Sequence, residues 1–272
     1  MTRTWSVSIL VVLLVVLAGC TGGGTPDAPA GGNGGSSGSG GSGSSGGDGG
    51  AGDDDFTVAD PERVLRDAGS FTSTWTFTMV DSEGTESTMR NTFAVDLERN
   101  RTSESLSMTG QQAGVSYERF TGDGTSYTRF GDGDQLVYQV MPVQDDPVAS
   151  ALARGAGLSY DDFEDAQTVG TETFDGVAVT RYEYTDPVLW RQYGTTTFGT
   201  DENVTVTDFT LVALVDEEGL ARSTGWTLVG ETEDGEPVTA EWRFEVTDVG
   251  STAVEDPDWL AEARAQGGNP SG

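Results

Sequence analysis

The sequence predicts a mainly β protein of the α+β class, in which a single large curved antiparallel sheet forms a half-barrel of about 11 strands and short helices cover its concave face. Two observations predict this fold. Apolar and polar residues alternate with a period of two over many segments, and turns rich in glycine and aspartate separate those segments. Helix-start signals precede only short stretches, so few helices are available to cover the apolar face of the sheet.

The folded region begins with a short helix and two alternating strands. Asp60-Pro61 predicts the start of the helix and Gly69 its end. The first strand has inward side chains at Phe71, Ser73, Trp75, Phe77 and Met79, with threonines between them. The second strand has inward side chains at Met89, Asn91, Phe93, Val95 and Leu97.

The remaining elements follow from the same signals. Strands are predicted at 101–108, 115–121, 125–130, 135–141, 167–174, 177–185, 204–216, 220–231 and 237–249. Asp146-Pro147, Asp186-Pro187 and Asp256-Pro257 each predict the start of a helix, and residues 159–165 predict a further helical turn. Helical segments therefore follow the sixth, the eighth and the last strand.

The N-terminal segment has the features of an export signal that ends in a lipid anchor. Arg3 precedes the almost wholly aliphatic run from Val7 to Leu17, which is too short for a membrane span of about 20 residues. Leu17-Ala18-Gly19-Cys20 resembles a lipobox, and Cys20 is the only cysteine in the chain. We expect Sec export, removal of residues 1–19, and a location on the extracytoplasmic face of the cell membrane with lipidated Cys20 as the anchor. The alternative is an ordinary cleaved signal.

A flexible tether is predicted between the anchor and the folded region. Residues 20–55 are mostly glycine and serine with an acidic end, a composition that buries no apolar surface. Such a coil has a root-mean-square reach on the order of 30 Å. We assign residues 56–265 to one β domain and residues 266–272 to a disordered tail.

The charge balance excludes one class of partner. The chain has 45 acidic residues against 14 basic ones, all of them arginine, and a formal net charge of −31. Such a protein repels nucleic acid. Acidity without lysine resembles the proteins of extreme halophiles, in which carboxylates hold water and cations at high salt. The alternative is metal binding by acidic loops, but none has EF-hand spacing, so we expect no metal site and no cofactor.

Residue counts also restrict the chemistry. The absence of histidine excludes a Ser-His-Asp triad and a histidine general base, and Cys20 is taken by the anchor. Acidic residues are too numerous to single out the carboxylate pair of a glycosidase. We therefore expect that the protein is not an enzyme. Two sequons, at Asn100 and Asn203, are candidate N-glycosylation sites.

One hairpin carries a resemblance to a known family. The run Gly170-Thr171-Glu172-Thr173-Phe174-Asp175-Gly176-Val177-Ala178-Val179-Thr180-Arg181-Tyr182 resembles the hairpin that follows the helical insertion in the LolA/LppX/LprG lipoprotein carrier superfamily. The order of elements over residues 56–250 is similar as well. The lipobox and the Gly/Ser tether resemble haloarchaeal surface lipoproteins of unassigned function. The resemblance implies an open half-barrel with a cavity for lipid, and it transfers no site residue.

Large inward aromatic side chains mark the candidate ligand cavity: Trp75, Phe77, Phe93, Trp226, Trp242 and Phe244. Leu189, Trp190 and Tyr193 on a short helix are the candidate lid. The leading hypothesis is a non-enzymatic binding or carrier module for an apolar ligand, a lipid or an isoprenoid. The alternative is a surface interaction or assembly protein with a filled core and an envelope protein as partner, acting beside a transporter or in envelope maintenance.

Overall fold

The computed structural model describes residues 56, 58–110, 116–131, 133, 136–143, 145–155, 163, 166–185 and 204–267. Three helices lie in these ranges: α1 (Pro61–Ala68), α2 (Pro147–Arg154) and α3 (Leu260–Gly267). The strands are β1 (Ser70–Val80), β2 (Glu86–Asp96), β3 (Arg101–Met108), β4 (Tyr117–Gly122), β5 (Thr125–Phe130), β6 (Val137–Pro142), β7 (Gln167–Phe174), β8 (Val177–Thr185), β9 (Val204–Asp216), β10 (Ala221–Thr232) and β11 (Pro237–Thr247).

The 11 strands form one open antiparallel sheet. Their order is β6-β5-β4-β3-β2-β1-β11-β10-β9-β8-β7, so β6 and β7 are its edges. Successive strands pair as neighbours with the exception of β6 and β7, and β1 pairs with β11, which joins the two halves of the chain at the centre of the sheet. The predicted fold class is confirmed.

The predicted N-caps of the first two helices are confirmed and explain where these helices begin. The carboxylate of Asp60 accepts a hydrogen bond from the backbone N–H of Glu62 at 3.0 Å. Asp146 accepts two such bonds, from Val148 and Ala149, each at 2.9 Å. The residue after α1, Gly69, has a φ of 77°, a left-handed conformation that favours glycine and ends the helix.

Both of these helices cover the same face of the sheet, which we call the inner face. Their buried residues Leu65, Val148 and Ala151 pack with Phe71 and Phe244. We define the packed region as this cluster: Leu65, Phe71, Phe93, Val95, Val148, Ala151, Leu220, Phe244 and Val246. A second buried cluster combines Phe163, which precedes β7, with residues of β8 to β11 that include Phe209, Leu211, Trp226 and Leu228.

The C-terminal helix differs from the prediction in both place and start. Leu260 packs with Phe120, whose side chain lies on the opposite, outer face because it alternates with the inward Arg119 along β4. The helix begins at Leu260 instead of Pro257, because a turn closed by the bond from the Leu260 N–H to the Pro257 carbonyl precedes it. Of the three described helices, α1 and α2 cover the inner face and α3 does not.

Candidate apolar binding site

The register of the central strands brings the six candidate aromatic side chains together on the inner face. Trp75 lies opposite Phe244, and Phe77 lies opposite Trp242. Trp242 is in turn opposite Trp226 on β10. Phe93 on β2 lies opposite Ser73, one alternation step from Trp75. The period-two pattern thus predicts the face of each of these side chains correctly.

Burial divides the six aromatic residues into two groups of three. Phe93, Trp226 and Phe244 are only 5%, 6% and 7% exposed. Trp226 fills the second cluster, with its ring centroid 6.0 Å from that of Phe209 and 6.2 Å from that of Phe77. Trp75, Phe77 and Trp242 are half-buried, in contrast. The protein itself therefore seals one group, while the other keeps accessible apolar surface.

Methionines extend the accessible group into a continuous surface. Met89 lies opposite Phe77 on β2, Met108 lies opposite Met89 on β3, and Met79 follows Phe77 on β1. All three are half-buried. We define the half-buried strip as Trp75, Phe77, Met79, Met89, Met108 and Trp242. Sequence reasoning placed Met79 and Met89 on the inner face but did not include the methionines among the site residues.

Helix α2 seals the packed region through close contact with aromatic rings. Gly155, which follows the helix, lies so near Phe244 that a Cβ atom at this position would be 2.7 Å from the ring carbon Cδ1. The guanidinium carbon of Arg154 lies 4.1 Å from the centroid of the Phe93 ring, a cation–π distance. The C-terminal end of α2 is therefore seated directly on the sheet.

A polar cluster lies at the border of the packed region, around the carboxylate of Glu104. Glu104 is 5% exposed, and its Oε1 accepts hydrogen bonds from Asn91 Nδ2 at 3.0 Å and Tyr117 Oη at 2.8 Å. Its Oε2 is 3.1 Å from Arg119 Nη1, and its Oε1 is 3.0 Å from Arg154 Nη2. We call these five residues the Glu104 cluster.

The cluster shifts the pKa values of two of its members. Burial disfavours the charged form of Glu104, but Arg154, Arg119 and the bonds from Asn91 and Tyr117 outweigh burial and lower the pKa of this carboxyl group. Burial, together with the adjacent Glu104 carboxylate, raises the pKa of Tyr117. The cluster is thus an ionised carboxylate held by two cations and two neutral donors, which fixes α2 to β2, β3 and β4.

Several predicted site residues lie outside the described residues. These are the anchor Cys20, the candidate lid residues Leu189, Trp190 and Tyr193, and the sequon residue Asn203. The other sequon residue, Asn100, is exposed in the turn between β2 and β3 and has a φ of 52°. In the described part of the chain, no helix is long and apolar enough to span a membrane. The same residues contain no group of three or more cysteine, aspartate or glutamate side chains placed to hold a metal ion.

Comparison with protein-family models gives a match over residues 6–263. The chain belongs to DUF7537, a family of unknown function. The comparison with curated proteins gave no match.

Three solved structures illustrate what this DUF7537 member resembles. The lipoprotein LppX of Mycobacterium tuberculosis is 14% identical, with a TM-score of 0.35 over 71% of this chain and 95% of that chain. LprF from Mycobacterium bovis is 14% identical, with a TM-score of 0.30 over 74% and 98%. A LolA superfamily protein from Nitrosomonas europaea is 11% identical, with a TM-score of 0.21 over 74% and 97%. All three TM-scores are below 0.5.

Proposed function

We propose that this protein is a membrane-anchored extracytoplasmic lipoprotein whose β domain binds or carries an apolar ligand, a lipid or an isoprenoid, without catalysing a reaction. The observation that carries the proposal is the half-buried strip. Six large apolar side chains from four adjacent strands form one surface that the described helices leave accessible. Contiguous accessible apolar surface of this kind typically marks a binding site.

The composition of the strip supports a ligand of variable shape. Trp75, Phe77 and Trp242 offer large flat surfaces, each of which loses contact with water when a hydrocarbon chain packs on it. Met79, Met89 and Met108 have flexible, polarisable side chains that adjust to different apolar partners. The adjoining packed region holds the strands in place, so the surface is preformed in the absence of ligand.

The N-terminal sequence supports the proposed location. A lipid on Cys20 would hold the protein at the membrane, and the Gly/Ser-rich residues 21–52 would let the domain reach on the order of 30 Å from it. A ligand that partitions into the membrane is then within range of the domain.

Binding is tested with a fluorescent apolar probe and a pair of methionine variants. Replacing Met89 by glutamine puts a polar side chain into the half-buried strip, and we expect it to weaken probe binding by about tenfold, the equivalent of about 1.4 kcal/mol. Met141→Gln is the matched control, since Met141 is 43% exposed on the edge strand β6, away from the strip. Equal binding by both variants and the wild type, or no lipid in native mass spectrometry of the protein from its host, contradicts the proposal.

Anchoring is tested separately by the Cys20→Ser variant. The wild type should fractionate with membranes, and the mass of its N-terminal peptide should include a lipid on Cys20. The variant should appear in the soluble fraction. An unmodified Cys20 in the mature wild-type protein rules out the anchor but leaves the binding proposal in place.

Burial of half of the candidate aromatic residues favours a second function, that of an interaction or assembly protein. Phe93, Trp226 and Phe244 fill the interior and offer no surface to a ligand. A protein of this kind binds an envelope protein and takes up no apolar probe. Crosslinking in intact cells should then give one defined partner, in place of lipid in native mass spectrometry.

A further inference from the structure

The Glu104 cluster contains more positive than negative charge. One carboxylate, that of Glu104, forms ion pairs with two guanidinium groups, those of Arg119 and Arg154. The side chain of Arg154 is 21% exposed and that of Arg119 is 29% exposed, whereas that of Glu104 is 4% exposed. The excess positive charge therefore lies on the accessible side of the cluster.

This arrangement differs from the other ion pairs in the described ranges, which are one-to-one or join one arginine to two acidic residues. Glu104 is the one acidic residue there that two arginines share. Four arginines instead contact two acidic residues each: Arg66, Arg99, Arg181 and Arg243. The chain has 45 acidic and 14 basic residues, so the excess of arginine over carboxylate in the Glu104 cluster is opposite to the overall charge balance.

Arg119 retains unused hydrogen-bonding capacity. Its Nε donates to the hydroxyl of Thr128 at 3.2 Å, and its Nη1 donates to Glu104. A guanidinium group has five N–H donors, and Arg119 Nη2 has no hydrogen-bond partner among the described residues. The planar fork of such a group suits two oxygen atoms of a carboxylate or phosphate.

The cluster and the half-buried strip are adjacent on the inner face. Asn91 belongs to the cluster and lies opposite Trp75 of the strip. Its Oδ1 is buried and accepts no hydrogen bond in the described part of the structure. Arg119 on β4 is three strand spacings of about 4.8 Å from β1, hence about 14 Å across the sheet. One extended amphiphile can therefore reach both.

We propose that Arg119, with the accessible edge of Arg154, binds the acidic headgroup of an amphiphile whose apolar chain lies on the half-buried strip. This inference rests on the proposed function and names its ligand class. The acidic oxygens complete the bonding of Arg119. The ligand class is an anionic lipid or fatty acid, not a neutral hydrocarbon.

The test compares two fluorescent ligands that share one chain and differ in charge, cis-parinaric acid and its methyl ester. Binding to the purified full chain is measured in molar KCl at alkaline pH, where the acid is ionised. We expect the wild type to bind the acid at least about tenfold more tightly than the ester, because a charge-assisted bond of this kind contributes that much. Sodium acetate at the same concentration, an anion without a chain, should displace neither.

Arginine variants locate the headgroup. Arg119→Gln should lose the preference for the acid while binding the ester as the wild type does, which also shows that it folds. Arg243→Gln is the matched control, since Arg243 lies on the outer face of β11 and also pairs with glutamates. It should keep the preference.

Each contrary result has a distinct meaning. Equal affinity of the wild type for acid and ester overturns the headgroup site and leaves the apolar binding function standing. A preference that survives in Arg119→Gln also overturns it. Binding of neither ligand by the wild type overturns the proposed function, and this inference with it.

Discussion

Phe71 and Phe77 project from the same face of β1, six positions apart, yet their surroundings differ. Phe71 is fully buried beneath α1 and α2 as part of the packed region. Phe77 is half-buried and belongs to the half-buried strip. The two regions share one sheet and one pattern of alternation, so the strand itself does not determine which side chain is sealed.

Element lengths explain the difference. Helices α1 and α2 have eight residues each and are therefore about 12 Å long, whereas the 11 residues of β1 extend about 36 Å. Helices this short cover one end of the central strands and leave the other end accessible. The part that is covered provides stability, and the part that is not covered is available to a ligand.

The largest expected effect separates the two regions directly. Phe71→Ala removes a fully buried ring, and we expect it to lower the free energy of unfolding by about 4 kcal/mol. Phe77→Ala is the matched variant and should cost about 2 kcal/mol, because part of that ring already contacts water. Chemical denaturation measures both. Only Phe77→Ala should weaken binding of an apolar probe, and equal losses of stability would contradict the division into two regions.

The next effect concerns the border between the regions. Glu104→Gln leaves Arg119 and Arg154 without their shared carboxylate, and we expect a loss of about 3 kcal/mol at neutral pH. The pKa of Glu104 is lowered below its ordinary value of 4.5. Such a group stabilises the fold above the pKa of the unfolded chain, and the contribution is lost as the pH falls through the lower, folded-state value. The difference in stability between wild type and variant should therefore disappear in acid.

Glu118→Gln is the control for that experiment. Glu118 precedes Arg119 on β4 and therefore lies on the outer face. It forms an ion pair with Arg129 at 3.3 Å, and its side chain is 51% exposed. An exposed pair contributes little, so this variant should lose less than about 1 kcal/mol. A pH-independent loss in Glu104→Gln, equal to that at neutral pH, would show that packing and not charge accounts for the effect.

The sequence predicted local structure better than it predicted long-range contacts. Alternation placed β10 at 220–231, against the observed Ala221–Thr232, because each strand repeats its own pattern. The pairing of β1 with β11 joins residues from opposite ends of the domain, and no local signal specifies it. The start of α3 was misplaced because Asp256-Pro257 is a helix-start signal that here precedes a turn.

The candidate site was likewise predictable where it depends on local pattern and unpredictable where it depends on long-range contacts. Period-two alternation correctly placed Trp75 and Phe77 on the inner face. How deeply each side chain is buried depends on the position of α2, which the sequence pattern of the strands does not specify. Glu104 lies two positions from Leu106 on β3, so alternation places both side chains on the inner face. This spacing did not single out Glu104, because the chain contains many other acidic residues. Its partner Arg154 is 50 positions away in the chain, so only the folded arrangement reveals the Glu104 cluster.

A smaller effect is expected where α2 meets the packed region. Gly155→Ala places a Cβ atom 2.7 Å from the ring of Phe244, so the helix end or the ring must move. We expect a loss of about 2 kcal/mol from overpacking. The double variant with Phe244→Leu should lose less than the sum of the two single variants, since the smaller side chain makes room. Strict additivity in denaturation experiments would mean that Gly155 and Phe244 are not in contact.

The smallest effect tests whether α2 is what keeps the packed region sealed. Asp146 caps this helix with two backbone bonds, and its carboxylate also accepts a bond from Arg66 Nη2 of α1 at 2.7 Å. The bonds from Ala149 and Arg66 lower the pKa of Asp146, so its stabilisation is present at neutral pH and is lost in acid. Asp146→Ala should cost about 1 kcal/mol, and Asp60→Ala, which removes a single capping bond, should cost less. Asp146→Ala alone should also increase access of a quencher to Trp75 and Trp242, which pack against the packed region, because a frayed α2 exposes the sheet beneath it.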